Sequence, residues 1–445
     1  MRYHSDGNNR GSVDRRVSDL VVVDRGPGRD RAILLQDGCV VEVLADYSHA
    51  PNRIGSIHRA RIDRVVKGQN RAFATLGDGA AVSIRIGKSD RLNPGELQTI
   101  TIIAAPRHDK AWQAVTGARI ISANLILLPD QQGINQSRAL PADAPDVAHS
   151  KTLLEQLLAE MTDSSSQGRP MALIMRRGAA GQSGKALVSE CRALMNDWLD
   201  KTADLDSDRQ DMIYDGGGIR AQARRLVPAA DFIDTAEMNN DNALLEDFDT
   251  QFEAAIVSAR APSTPLAGGG VMWVTPTRAL TAIDLDTGVG SLPVLFDTAP
   301  AAIAQRLRLA QIGGLVAIDV PRAQPAVMRR FTSALAAELA NDPRRPDILG
   351  RTRGGILECR LPYGQPFPPD LAGPDADMVL TVLLEIARRP MLATPTISLS
   401  PAMSQWLDNA GGAALKTLDR PVARVVSSSV TIASLTETTH DLHNR

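Results

Sequence analysis

Two apolar runs that stop on aspartate constrain this chain more than any other feature. Thr281-Ala282-Ile283-Asp284 and Val316-Ala317-Ile318-Asp319 both climb through β-forming residues and end on a carboxylate. The segment between them has helical punctuation: Thr298 is placed as an N-cap, Pro300 suits a first turn, and Ile303 and Leu307 fall at helical spacing. Gly313-Gly314 supplies the stop. The expectation is strand, helix of about four turns, strand, and so a βαβ unit with parallel strands. Parallel strands end on one edge of a sheet. Asp284 and Asp319 are therefore expected to face one crevice at the carboxyl ends, where open α/β sheets place their sites. Asp286 follows Asp284 by two residues.

Carboxylates held this close repel one another unless a cation sits between them. An all-oxygen donor set selects a hard ion, Mg²⁺ or Mn²⁺, which can polarise a phosphodiester and activate water. On spacing alone the plainer reading stays open, in which the acids are solvated strand ends or helix caps.

The rest of the chain frames this unit. At 445 residues it exceeds one ordinary core, so several domains are expected. With 43% hydrophobic and 22% charged residues it reads as a soluble globular protein. No apolar run approaches the roughly 18–20 residues of a membrane span, and the polar N-terminus lacks the apolar core of a secretory signal. Three widely separated cysteines, Cys39, Cys191 and Cys359, make no CxxC pair. A reducing cytoplasm is the expected location. The net charge of −2 excludes a global basic footprint, so any anionic partner must be held by local patches.

Residues 1–17 are polar and read as a disordered tail. Short alternating strands between 54 and 106, separated by Lys-Gly and Gly-Asp-Gly turns, suit a small closed barrel such as an OB-fold. Further strands are expected at 121–130 and 171–187, with a helix around 150–161 between them. The stretch 190–260 reads as mostly helical, and 271–360 as alternating β and α. The Pro-rich segment 361–375 has the composition of a linker.

The acid-strand segments resemble the ribonuclease E/G family, single-strand endoribonucleases that use magnesium. Thr277-Arg278-Ala279-Leu280-Thr281-Ala282-Ile283-Asp284-Leu285-Asp286-Thr287 is similar to the family's first catalytic strand, and "AQRLRLAQIGGLVAIDVPRA" (304–323) to its next helix and strand. The resemblance runs from about residue 19. It implies an α/β multi-domain chain: an RNase H-like domain split into 18–54 and 212–270, an inserted OB-fold RNA-binding barrel (55–117), and a 5′-sensor region (118–211). A deoxyribonuclease-I-like catalytic domain (271–372) and a small α/β C-terminal domain (373–445) follow.

The resemblance also implies roles. Asp284 and Asp319 bind the metal and Asp286 assists, the products carrying 5′-phosphate and 3′-hydroxyl ends. Lys110 matches an RNA-contacting lysine; Arg59, Arg61 and Arg64 supply local charge on the barrel. Arg176 and the distant Arg353 match arginines that read a 5′-monophosphate, Arg177 stands where the family has threonine, and Ser122 and Ile126 match backbone contributors to that pocket. Single-stranded RNA is the implied partner.

Three departures stand out. Asp286 replaces the family's asparagine. Val320-Pro321-Arg322-Ala323 replaces a segment bearing a third acid. The zinc-binding cysteine motif after the catalytic domain is absent, so no zinc is expected, and the chain is expected to be a monomer or a dimer through its C-terminal domain. Only 3% of residues are aromatic, and the family's barrel phenylalanine falls at Ala81 or Val82. Phe73 reads as core, which predicts weak, salt-sensitive RNA binding. The rival reading is a catalytically weak or inactive RNA-binding paralogue. A phosphoesterase acting on small nucleotides is more distant, since such a substrate needs no RNA-tracking barrel.

Overall fold

The strands of the computed structural model gather into five sheets. The structure describes residues 20–436 apart from 88–89, 107–109, 138–139, 141–144, 165–169, 204–209, 228–229, 239–241 and 390–394. The expected tail over 1–17 lies outside the described residues. Among these no helix is long and apolar enough to cross a membrane.

The first sheet is an antiparallel meander of Leu20–Gly26, Arg29–Gln36 and Cys39–Tyr47, with Asp231–Asp234 added parallel to its first strand. Alternation puts Val21, Val23, Leu34 and Leu44 on one face, against Ile219 and Ala223 of the helix Gly218–Leu226. Val22, Ile33, Leu35 and Val43 on the other face meet Phe248, Phe252 and Ile256 of the helix Asn242–Arg260. The next strands, Ile57–Val66, Arg71–Thr75, Ala81–Arg85, Leu97–Ala104 and Trp112–Thr116, close into a five-stranded, OB-like barrel. Closure comes from Ile57–Arg61 pairing with Leu97–Thr101. Its narrow interior takes small and branched residues, Ala60, Ala72, Ala74, Val82, Ile84 and Ile100. A third sheet (Gly133–Gln136, Met171–Met175, Leu125–Pro129, Ile120–Ile121) packs on the helices Pro145–Ser164 and Gly184–Thr202.

The fourth sheet carries the two acid strands. Its order is Ser263–Pro265, Val271–Pro276, Thr281–Asp286, Gly314–Asp319, Leu357–Leu361, Asp347–Arg351. Only the two acid strands run parallel; the other neighbours are antiparallel. One face is packed by Phe296, Ile303 and Leu307 of the helix Leu292–Leu309 and by Phe331 and Leu335 of the helix Pro325–Leu339. A three-stranded sheet near the C-terminus, with Thr396–Leu399 between Ala423–Val426 and Ser434–Thr436, packs on the helix Pro374–Ala387.

Several local expectations are corrected. The crossover helix spans Leu292–Leu309, 18 residues, with Ser291 as N-cap and Pro293 in its first turn. Pro300 lies inside that helix, buried, and Thr298 bonds back to the Val294 carbonyl at 2.9 Å instead of capping. Its exit is made by Gln311 in the left-handed region (φ 50°), while Gly314 (φ 93°) already opens the next strand. The stretch 190–260 holds two four-residue strands besides its helices, Asp211–Tyr214 and Asp231–Asp234. Each is too short to show a period of two and forms by pairing with a remote strand. The Pro-rich segment is not a free linker. Phe367 is buried against the first-sheet helix, and Gln365 accepts a bond from Asn52 Nδ2 at 2.6 Å.

Candidate active site

Strand alternation places the acids. In Thr281–Asp286 the buried residues are Thr281, Ile283 and Leu285, which leaves Ala282, Asp284 and Asp286 on the opposite, exposed face. In Gly314–Asp319, Val316 and Ile318 point into the core and Asp319 is exposed. The parallel register pairs Asp284 directly with Asp319, and Ala282 with Ala317. Adjacent strands lie about 4.8 Å apart, so the two carboxylates are neighbours across one inter-strand gap. The alanine pair beneath them leaves the face open.

The frame behind Asp319 is rigid. Arg344, paired with Asp342 at 2.6 Å, donates to the Leu307 carbonyl at 3.0 Å and to the Ile312 carbonyl at 2.7 Å. It thereby satisfies a helix-end carbonyl and fixes the entry to the Asp319 strand. On the same helix Arg308 bonds buried Glu42 of the first sheet at 3.0 Å, and Gln311 bonds it at 2.8 Å. Arg306 donates to the carbonyls of Ser258 and Ala261.

Asp284 and Asp319 form no hydrogen bond or ion pair with any described residue, and both are exposed. Asp286 accepts the Gly288 amide at 2.9 Å on one oxygen, which commits it to its own turn. That turn needs glycine: a Cβ on Gly288 would lie 2.3 Å from the Gly269 carbonyl oxygen. No group of three or more His, Cys, Asp or Glu suited to a metal occurs among the described residues. Two free carboxylates still fit magnesium, which is held by one or two carboxylates with water and substrate phosphates completing the shell. Arg322, in the loop after Asp319, is exposed and pairs with no described acid.

The RNA-contacting candidates lie on the barrel. Arg59, Arg61 and Arg64 belong to Ile57–Val66: Arg59 is half-buried, and exposed Arg61 donates to the Gly95 carbonyl at 2.9 Å. Arg64 stacks over the Phe73 ring, 4.4 Å from its centroid. Lys110 is exposed two residues before the strand Trp112–Thr116. Phe73 is thus not core. Ala72 and Ala74 take the inward phase, so Phe73 is turned outward in a row with Arg64, Ser83 and Gln113 on adjoining strands. Sequence reasoning missed this outward ring, although the alternation Arg-Ala-Phe-Ala-Thr carries the signal.

The sensor candidates are brought together only in part. Arg176 donates to the carbonyls of Ser122 and Ala123 and, at 2.8 Å, to that of Arg225. Burial pushes its pKa below the usual arginine range, with Glu190 opposing. Glu190 bonds the Ser122 hydroxyl and, at 2.9 Å, the Asn124 amide, so Arg176 and Glu190 together brace the loop 122–124. Ile126 lies on the adjoining strand Leu125–Pro129. Arg177 opens a short turn and its side chain lies outside the described residues. Arg353 stands exposed in the hairpin turn after Asp347–Arg351. Because Leu357 pairs with Ile318, that hairpin overhangs the edge next to Asp319.

An open sheet face with an aspartate pair in register, in one chain with a closed OB-like barrel, defines a mixed α/β protein with an acid-pair site. Residues 229–360, which include both acid strands and Arg353, match the model of the Ribonuclease E/G family. Ribonuclease G of Haemophilus influenzae is 23% identical, the match covering 75% of this chain and 77% of that protein. Ribonuclease G of Escherichia coli K12 is 23% identical over 76% and 78%. Ribonuclease E of Nostoc is 23% identical over 74% of this chain, which spans only 53% of that relative. The chain is thus similar to the ribonuclease E/G family, through its model over the acid-strand region and at 23% identity to its members over about three quarters of the chain.

Proposed function

We propose that this chain is an endoribonuclease that hydrolyses single-stranded RNA, with Asp284 and Asp319 holding Mg²⁺, or Mn²⁺ in its place. The observation that carries the reading is the direct register of two unpartnered carboxylates on an open sheet face. Bound there, the ion would supply Lewis-acid polarisation of a phosphodiester and activation of water, leaving 5′-phosphate and 3′-hydroxyl ends. The protein's own part is to present both acids on a rigid edge and to leave their face open to a strand. Lys110 and the barrel arginines hold the backbone, and Phe73 offers a face to a base.

The test is cleavage of a 5′-monophosphorylated, A/U-rich single strand with Mg²⁺, with and without EDTA. EDTA should stop the reaction. Asp319→Asn should lower the rate by roughly 10²-fold or more, since a lost ligand forfeits several kcal/mol of transition-state stabilisation. Equal rates for wild type and variant would overturn the reading. A second reading, an RNA-binding paralogue without turnover, draws on the exposed Arg322 beside Asp319 and on the absence of a third acid grouped with the pair among the described residues. It predicts RNA binding with no cleavage by the wild type.

A further inference from the structure

In Val271–Pro276 inward and outward residues alternate: Met272 and Val274 are buried, while Trp273 and Thr275 face out. Trp273 is 47% exposed, whereas Trp198 elsewhere in the chain is 5% exposed. Its place on the sheet is specific. Trp273 is the register partner of Asp284, and Asp284 of Asp319, so the indole and the two carboxylates form one row across three adjacent strands. Directly paired residues on antiparallel strands have Cβ atoms about 5 Å apart. The residues below in the same phase, Ala282 and Ala317, are too small to cover the ring. Trp273 makes no ring or cation contact with a described residue.

The row has unlike flanks. Beyond Asp319 stand the exposed cations Arg322 and Arg353; on the other side of Asp284 stands the half-exposed indole of Trp273. A protein partner seated on Trp273 would bury two unpaired carboxylates at a cost of several kcal/mol per ion. A metal-neutralised nucleotide would not, because it covers the indole with a base and brings its phosphate to the acids and arginines. We propose that Trp273 is the stacking platform for the nucleobase beside the scissile phosphate. The proposal rests on the nuclease reading above. Stacking is tolerant of base identity but demands an unpaired base, so this contact would select single strands.

Two readouts test it. In single-turnover cleavage, an abasic site scanned through the substrate should slow the wild type at one nucleotide flanking the cut, by roughly 5- to 150-fold. Trp273→Leu should be slow on the intact strand and indifferent to that abasic site, and Trp273→Phe should recover part of the rate. With Mg²⁺ and a cleavage-resistant backbone, a short single-stranded oligonucleotide should quench indole emission in the wild type and not in Trp273→Phe, and a duplex should not quench it. Equal wild-type rates on abasic and intact strands, or undiminished quenching in Trp273→Phe, would overturn the proposal. Trp273-dependent quenching without any cleavage would support stacking and count against the nuclease reading. Cleavage that ignores every abasic position would do the reverse.

Discussion

Asp24→Asn should destabilise the protein by about 3–5 kcal/mol, the cost of breaking a buried ion pair. Asp24 and Arg31 have side chains 3% and 2% exposed and meet at 2.7 Å. Arg31 also reaches Asp249 at 2.6 Å, and Arg388 pairs with both aspartates, 2.9 Å from Asp24. The Thr235 hydroxyl adds a bond to Asp24 at 2.8 Å. This closed ring of two cations and two anions ties two strands of the first sheet to the helix Asn242–Arg260 and to the C-cap of the helix Pro374–Ala387. The amide keeps the shape of the carboxylate but loses its charge and turns a donor towards a guanidinium. Two charge-assisted bonds weaken, each worth about 1.5–3 kcal/mol. Burial raises the Asp24 carboxyl, but Arg31 and Arg388 outweigh it and hold the pKa below the usual range. A depressed folded pKa gives stability that is complete above the unfolded value of about 4 and is lost as pH falls through the lower folded one. The gap between wild type and variant, read from urea unfolding followed by circular dichroism, should therefore stay constant from about pH 7 to pH 5 and close only below about pH 4. Arg31 lies over the rings of Phe248 and Phe252 at 5.1 and 5.2 Å, so Asp24→Leu with Arg31→Met should regain much of the loss. A gap under about 1 kcal/mol at neutral pH, below the cost of one such bond, would refute the argument.

Two further outcomes are expected. If Arg353 reads a terminal phosphate, a 5′-hydroxyl substrate should be cut about 10-fold or more slowly than the monophosphate, and Arg353→Ala should erase the difference; a preference that survives the substitution would refute the assignment. Metal analysis should find no stoichiometric zinc, and a chelator should leave the oligomeric state unchanged. Cys359 lies in the core of the acid-strand sheet, Cys191 in the core of the third sheet and Cys39 is exposed in the first sheet, so no two thiols come from one core. About half a zinc per chain, with dissociation on chelation, would overturn this, since a shared four-ligand site would then exist.

What could be read from the sequence was whatever depends on neighbours in the chain. The two acid strands were legible because a crossover helix forces parallel register, and register alone then sets Asp284 beside Asp319. The barrel was legible because its turns and alternation recur at short intervals. The ring around Asp24 was not: Arg388 is 364 residues away, and nothing local to either residue marks the pairing. The helix start was misplaced because two prolines, Pro293 and Pro300, compete for a first turn. Only packing decides, by burying the second in the helix interior.

The aromatic residues show a different limit. Phe73 and Trp273 each sit in a strand whose neighbours in sequence are small or apolar, so composition favours core for both. What turns them outward is the phase of the adjoining strand: Arg64 and Ser83 for Phe73, Asp284 for Trp273. A residue paired directly with an exposed carboxylate must share its face, since paired side chains project to the same side of a sheet. The short turn between 271–276 and 281–286 dictates their antiparallel pairing, and that pairing with Asp284 alone places Trp273 on the open face. The acid that marks the candidate site also marks its aromatic neighbour, so the low aromatic content of the chain is a poor guide to which aromatics reach its surface.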